Sequence, residues 1–564
     1  MTGIAEQPFY TKGEPREALV VWEMLHGGGW VLPLRNGVEI PSKPPLYHWL
    51  AALAAHATGG VSELAARLPS ALLAVLAVLL VYWFGVSIGR VRSGWIAAVA
   101  LLTSFEWIRA ARVARVDMTL TFFLFASLLA FAVMNRSGVT RLRLTIFYAC
   151  VALATLGKGP VGVALPALVI IVFAATRSDR PGGAQDGGLA ASLGRRVRAV
   201  LSTVEPLRPV PGLVAVALVA GSWYVAALFL GGESFFVKQI LKENVLRFLD
   251  PARLDSGHLH GPLYFIPNFF AGALPWSLLA PAVAWWLWRM RPLDETTRFL
   301  VVWFVTVIVF FSLSASKRSV YVLPAYPAAA LLLGHVLGPG PEGAGPRRLA
   351  GWGMMAGGAI LATIGLAALL VAAGLPLARL VGPHLHTEDA SSLAVALAAL
   401  TSSRLQTAAI GLVLIAGGAG AAIAARDAHW LRGSVAIVAA MLALFAGLVA
   451  PVEHGLAWDR TFKPFMAEVR ARIGKQPLAF YRAFDYGAVF YSEGHIRPFR
   501  GRLDRPPRAP RSEAQAARHA VRERYVLLWE DDARRLGDHL QVLLTSSGTG
   551  PKGRARLVLA TLAE

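Results

Sequence analysis

The chain has 564 residues, 55% of them hydrophobic and only 16% charged, with a mean hydropathy of +0.53. A soluble globular chain carries about 25% charged residues, so this composition excludes a soluble enzyme or binding module and indicates a membrane protein. The net charge of +21 rests mainly on Arg in loops and in the C-terminal tail, which points to topology and anionic headgroups rather than nucleic acid, and the one cysteine, Cys150, excludes a disulfide framework or a cysteine metal site.

Residues 1–15 are polar and contain no apolar stretch, so no signal peptide opens the chain. Two short apolar stretches, 16–25 and 44–58, are too interrupted to cross a bilayer and predict amphipathic helices at the membrane surface. Runs long enough for the hydrocarbon core then predict twelve spans, at 66–89, 94–108, 118–135, 143–157, 160–176, 210–231, 263–287, 299–314, 319–338, 350–373, 404–425 and 431–452. Loop 178–198, rich in Gly, Asp, Ser and Arg, predicts a flexible cytoplasmic linker. Past residue 453 the pattern changes. Short apolar strands begin at Pro477, Tyr525 and Ala555, and Ser512 to Arg524 has helical spacing, so the tail predicts a small α/β domain outside the membrane. The division expected is a membrane domain over 1–453, including a first outer loop at 1–65, and a C-terminal α/β domain over 454–564.

Alternate loops settle the expected orientation. One set holds Arg90 and Arg92, Arg136 to Arg143, Arg177 to Arg208, Arg289 to Arg298, Arg347 with Arg348, and Arg426 with Arg432, which makes it cytoplasmic. Residues 1–65, 109–117, 232–262, 374–403 and the tail then face outward. An outward start needs either a segment translocated on its own or a first helix upstream of residue 1, and the second is expected.

Charges in those outward segments break the topology rule: Lys12, Arg16, Lys43, Arg67, Arg109, Arg112, Arg115, Lys158, Lys242, Arg247, Lys317 and Arg318, with Glu14, Glu17, Asp117, Glu243 and Asp250 among them. A single Lys or Arg can snorkel to the interface, but cations recurring in several short outward loops make a site for phosphate. Asp117, at the start of an apolar run, also fits a helix N-terminal residue, a position worth about 0.5–2 kcal/mol. His258 and His260 lack a third ligand at a useful spacing, so no metal site is assigned.

Several ordered motifs carry a resemblance. Glu14-Pro-Arg16-Glu-Ala18, Glu23-Met24-Leu25, Gly29-Trp30, Asn36-Gly37 and Lys43-Pro44-Pro45-Leu46 come first. Ala65-Ala-Arg67-Leu-Pro69, Arg115-Val-Asp117-Met118, Lys158-Gly159, Glu243-Asn-Val-Leu-Arg247, Pro262 with Tyr264, Leu274-Pro275-Trp276 and Ser316-Lys317-Arg318 follow, leading into Tyr321-Val-Leu-Pro324. Together they resemble the ArnT-type glycosyltransferases, which stand with the protein O-mannosyltransferases in the GT-C superfamily. The resemblance implies an α-helical polytopic GT-C membrane protein of about 12–13 transmembrane helices, with an extracytoplasmic active site and C-terminal domain in the bacterial inner membrane. It implies a polyprenyl-phosphate sugar donor and a lipid or glycolipid acceptor. The family's first-loop acid falls at Gly13 and the acid before Lys-Pro-Pro falls at Ser42, so neither acid can be carried over.

Transfer from a lipid phosphate needs fixed cations for the departing phosphate and, for a hydroxyl acceptor, a base. The expected donor-phosphate residues are Lys43 and Arg247, then Arg67, Lys158 and Lys317. Asp117 and Glu14 are the expected catalytic acids, and Arg16, Tyr264 and Glu243 the expected substrate contacts. No cofactor is assigned, and a divalent cation is left open. Transfer to protein Ser or Thr, a lipid-sugar flippase and a pseudoenzyme are the alternatives.

Overall fold

The computed structural model describes residues 3–562 apart from 90, 178–188, 247–259, 315, 339–343, 377–378, 380, 499–524, 552 and 554. Two short helices, α1 (Glu14–Leu25) and α2 (Leu46–Thr58), precede the first long one, α3 (Glu63–Ile88). Ser62 caps α3 by accepting the Ala65 N–H at 3.2 Å, which stops the chain turning earlier. Helices α4 (Val91–Leu102), α5 (Phe105–Ala111), α6 (Val116–Ser137), α7 (Arg141–Lys158), α8 (Val161–Thr176) and α9 (Leu189–Val204) follow.

Every predicted span coincides with helix, but they are not all alike. Among the described residues, eight helices are long and apolar enough to cross a membrane: α3, α6, Pro209–Asn244, Glu295–Leu313, Ser319–Leu337, Arg347–Ala372, Arg404–Arg426 and Trp430–Ile473. The predicted spans 94–108 and 160–176 correspond to the shorter α4 and α8, of 12 and 16 residues. At about 1.5 Å per residue these fall short of a hydrocarbon core roughly 30 Å thick. α7 carries Arg141, Arg143 and Lys158 at its ends. The span expected over 263–287 is a broken pair, Pro262–Gly272 and Trp276–Arg289, bent by 105°.

Two further expectations are corrected. The stretch 16–25 forms α1, but α1 does not lie on a surface: Glu14, Pro15, Glu17, Leu19, Val20, Val21, Glu23 and Met24 are all buried, so protein covers most of it, and Arg16, Trp22 and Leu25 are half-buried. The linker expected at 178–198 is helical from Leu189 onward, as α9; residues 178–188 lie outside those described.

The tail folds as expected in class. Strands β1 (Leu478–Phe480), β2 (Arg497–Pro498), β3 (Tyr525–Trp529), β4 (Leu540–Thr545) and β5 (Leu557–Leu562) form one sheet in the order β2-β1-β3-β5-β4. β1 runs parallel to β2 and β3, and β5 antiparallel to β3 and β4. The helix expected over Ser512–Arg524 lies outside the described residues. Strand alternation sends Phe480, Leu527 and Leu559 to one face, where they share a core with Leu19, Val20, Tyr47 and Ala51 of α1 and α2. Val526, Leu528, Val558 and Ala560 face the other way into a small second core. The sheet is thus packed onto the first 65 residues rather than tethered beside them.

Candidate functional site

Where α1, the loop before α2, the start of α6 and the sheet domain meet, a cleft of about 180 Å³ opens to solvent. Seven cations line it, Arg16, Arg35, Lys43, Arg115, Lys158, Lys238 and Arg318, against four carboxylates, Glu17, Glu39, Asp117 and Glu243. The lining therefore carries three positive charges in excess, with Tyr321 and Tyr486 as its aromatic members.

One end is built on the heads of the membrane helices. Pro45 starts α2, and the Gln239 amide donates to the Pro41 carbonyl at 2.5 Å, so the Ser42-Lys43-Pro44 loop is pinned against the segment 236–246. Lys43 Nζ reaches Glu243 Oε2 at 2.7 Å. Asp117 stands in the first turn of α6 and Lys158 is the last residue of α7, and the two form an ion pair. Lys158 Nζ also lies 4.3 Å from the centre of the Tyr321 ring. The Asp117 carboxylate accepts from Lys158 Nζ and is thereby tied across to α7 as well as standing in the first turn of its own helix.

Arg115 precedes α6 and fills the space beside Gly13. A Cβ at Gly13 would stand 2.6 Å from Arg115 Nη2 and 2.8 Å from Nε, so a side chain there would displace the guanidinium. Arg115 Nε has no hydrogen-bond partner among the described residues.

The other end is built on a tight turn. Asn36 and Gly37 have φ of 51° and 68°, left-handed values that Asn-Gly accommodates, and Val38 N–H closes on the Arg35 carbonyl at 3.1 Å. Arg35 and Glu39 consequently face each other, with Arg35 Nη1 3.1 Å from Glu39 Oε1. The Tyr486 hydroxyl donates to Glu39 Oε2 at 2.7 Å, and burial together with that bond pushes its pKa up to about 12. Arg16 lies against Glu17 at 2.7 Å, and the far side of Glu17 meets His48 Nε2 at 2.8 Å. Burial pushes the Glu17 carboxyl up, but Arg16 and His48 outweigh it and hold it well below the usual carboxylate range.

The expected site residues separate. Lys43, Lys158, Asp117, Glu243 and Arg16 converge on this cleft. Glu14 and Arg67 do not line it. They form a buried fork, Arg67 Nε to Glu14 Oε1 at 2.7 Å and Nη2 to Oε2 at 3.2 Å, while Arg67 Nη1 donates to the carbonyls of Ile4 and Gln7. Such a pair leaves Arg67 no edge for a ligand and Glu14 no free lone pair near one. Lys317 is likewise outside the lining, donating to the carbonyls of Ser314 and His260. Tyr264 stacks on the His260 ring at 4.2 Å. Arg247 lies outside the described residues. Arg35, Glu39, Lys238 and Tyr486 enter the site without having been singled out as site residues. The Asn36-Gly37 turn signal was available for the first two, whereas nothing local marks Lys238 or Tyr486. Among the described residues no group of three or more His, Cys, Asp or Glu could hold a metal ion.

Residues 42–181 match the family described as dolichyl-phosphate-mannose-protein mannosyltransferase. The undecaprenyl phosphate-alpha-4-amino-4-deoxy-L-arabinose arabinosyl transferase of Aeromonas salmonicida is 26% identical over 58% of this chain and 56% of its own length. Its counterpart from Erwinia tasmaniensis is 28% identical over 57% of this chain and 54% of its own length. The matched segment thus spans about half the length of these relatives. The whole fold is similar to the crystal structure of ArnT from Cupriavidus metallidurans bound to undecaprenyl phosphate, with a TM-score of 0.72 at 19% identity, covering 100% of this chain and 95% of that one. The apo structure of the same protein also superposes with a TM-score of 0.72.

Proposed function

We propose that this ArnT-like chain of the GT-C fold is a membrane glycosyltransferase moving a sugar from a polyprenyl-phosphate donor to a lipid acceptor. In this reading the cleft and the sheet domain face outward from a bacterial inner membrane, in the orientation that the basic loops favour. The observation that carries it is the convergence of Lys43, Lys158, Asp117 and Glu243 in one cationic cleft, though they are spread over some 200 residues of chain.

The chemistry follows from the charges. The acceptor oxygen attacks the anomeric carbon and forms the new C–O bond. The bond from that carbon to the donor phosphate breaks, and its electron pair leaves with the phosphate. A diester with one negative charge becomes a monoester with two, so negative charge grows on the leaving group in the transition state. Cations fixed beforehand in a partly dry cleft stabilise that growth without reorganising, which is where electrostatic catalysis has most effect. Lys43 and Lys158 are the proposed clamp, each presently held by a carboxylate that the phosphate would replace. Asp117 orients Lys158 until then. With a hydroxyl acceptor it is also the proposed base once Lys158 turns to the phosphate; an acceptor that is already an ionised phosphate needs none.

The match of residues 42–181 to the mannosyltransferase family favours one second reading, the same chemistry on protein Ser or Thr. Membranes containing the wild-type protein, given radiolabelled polyprenyl-phosphate sugar, separate the two. Label in extractable lipid, dependent on this protein, supports the first reading, and label in protein supports the second. Label remaining wholly on the donor would overturn both.

A further inference from the structure

Helix α9 (Leu189–Val204) carries three Arg and no Asp or Glu, and it leaves a row of aliphatic side chains uncovered. Leu193, Val197 and Leu201 recur every fourth residue, which places them on one face of the helix. They are 62%, 49% and 59% exposed. Arg196 and Arg198 stand one residue before and after Val197, about 100° round the helix to either side. Both are exposed, and Arg195 is half-buried. An apolar stripe edged by cations is the pattern of a helix lying in a membrane surface, with the stripe among acyl chains and the cations at the headgroups. We infer that α9 is a docking surface for the anionic headgroups of one membrane leaflet, with Leu193, Val197 and Leu201 inserted beneath them.

The attachment of α9 puts it at a suitable depth. The helix ends at Val204, and the span Pro209–Asn244 begins after only four residues, Glu205 to Arg208. Four residues reach at most about 14 Å, which keeps the end of α9 close to the headgroups. Thr203 is buried, and its Oγ1 accepts from Arg177 Nη1 at 3.2 Å, just past the end of α8. The Tyr148 hydroxyl of α7 donates to the Leu207 carbonyl at 2.9 Å. These two bonds hold the end of α9 on α7 and α8 while the aliphatic row stays uncovered. The first turns of the following span expose Val210, Leu213 and Val214, so apolar surface lies on both sides of the four-residue connection.

Charge selects the partner. A zwitterionic surface offers α9 only the apolar contact, whereas an anionic one adds roughly fivefold in affinity for each Arg close to it. An isologous contact with a second copy of the chain would instead bring the same cations against one another. The surface is also remote from the cleft. α8 runs from Val161, close after Lys158, to Thr176 beside α9, so the two places lie at its opposite ends. The inference therefore holds or fails independently of the transfer reading. Residues 177–208 belong to the loops that their Arg content assigns to the cytoplasm, and in that orientation the leaflet is the inner one.

Full-length protein is placed in nanodiscs of phosphatidylcholine, alone or in equal parts with phosphatidylglycerol. Amide hydrogen exchange over residues 192–204 is followed by mass spectrometry. Phosphatidylglycerol is expected to slow exchange there roughly tenfold, and about 1 M salt to remove most of that slowing. In the triple variant Arg195→Gln, Arg196→Gln, Arg198→Gln, phosphatidylglycerol is expected to make no difference. In the triple variant Leu193→Ser, Val197→Ser, Leu201→Ser, exchange is expected to be fast in both lipids. Slow exchange in α6, the same in every protein, shows that each is folded. Equal exchange of the wild-type helix in the two lipids overturns the inference. So does slowing by phosphatidylglycerol that the Arg variant keeps in full, because the cations would then have no part in it.

Discussion

Arg67 donates from three nitrogens, to both oxygens of Glu14 and to the carbonyls of Ile4 and Gln7, and Glu14 in turn accepts the Ala114 N–H at 3.2 Å. A charge pair this buried is strongly destabilising when only one partner is removed, by about 3–5 kcal/mol. Arg67→Ala is expected to lower the unfolding temperature in detergent markedly, and the double change Arg67→Met with Glu14→Gln to recover much of the loss. If Arg67→Ala instead unfolded like wild type but lost donor binding, the residue would belong to the ligand after all. Glu17 gives a pH prediction. Its carboxyl is held below its ordinary value near 4.5, so the stability it contributes is fully present above that pH and is lost as pH falls through the lowered folded value. Acid unfolding followed between pH 6 and pH 3, both about the carboxylate range, is expected to be shallower in Glu17→Gln, since the Gln cannot take up the proton. Asp117→Asn tests the proposed base: turnover on a hydroxyl acceptor is expected to fall by roughly 10²–10⁴ with polyprenyl phosphate still bound. Undiminished turnover would leave Asp117 only the task of holding Lys158.

Among the helices, the contact between Arg347–Ala372 and Arg404–Arg426 is made by glycines. A Cβ at Gly365 would stand 2.5 Å from the Gly411 carbonyl and one at Gly411 2.7 Å from the Gly365 carbonyl, so the two backbones touch where no side chain fits. In lipid, where burial of apolar surface gives no drive between helices, such close packing is a main source of association. Gly365→Leu is expected to cost about 1–3 kcal/mol by overpacking, read as a lower unfolding temperature, while Leu at the open Gly382 is expected to change little. Hydropathy made the long helices legible, because a run of apolar residues needs no knowledge of its neighbours. It could not show the 105° break between Pro262–Gly272 and Trp276–Arg289, where apolar residues continue across the bend and only backbone direction changes. It also could not show that α1 is mostly enclosed: its polar face meets Arg67, His48 and His495 rather than water, and those partners lie far away in sequence.

At the scale of the molecule, the sheet domain and the first 65 residues form a single core, joined at its edge by the Asn36–Ile496 exchange and by Lys463 and Tyr491 on Glu63. Asn36→Ala combined with His495→Ala is expected to loosen that joint. Limited proteolysis of the tail should quicken while the helical circular dichroism of the membrane part stays the same; unchanged proteolysis would mean the apolar contacts suffice alone. The half of the cleft built from helix heads was legible, because Lys43 and Lys158 are cations where the topology rule disfavours them, with Asp117 and Glu243 among such cations. The half contributed by Lys238 and Tyr486 was not, because Tyr486 is 447 positions from its partner Glu39 and nothing near it in sequence differs from an ordinary strand-flanking tyrosine.

Lys43 and Lys158 are the proposed stabilisers of the phosphate as it leaves. Single-turnover transfer from radiolabelled polyprenyl-phosphate sugar, by purified Lys43→Ala and Lys158→Ala proteins saturated with donor, measures that step directly. A loss of at least 10²-fold in the rate of the chemical step, in the range seen when one preorganised charge-stabilising donor is removed, with the proteins still folded, is the predicted result. Transfer at the wild-type rate by either variant would contradict it.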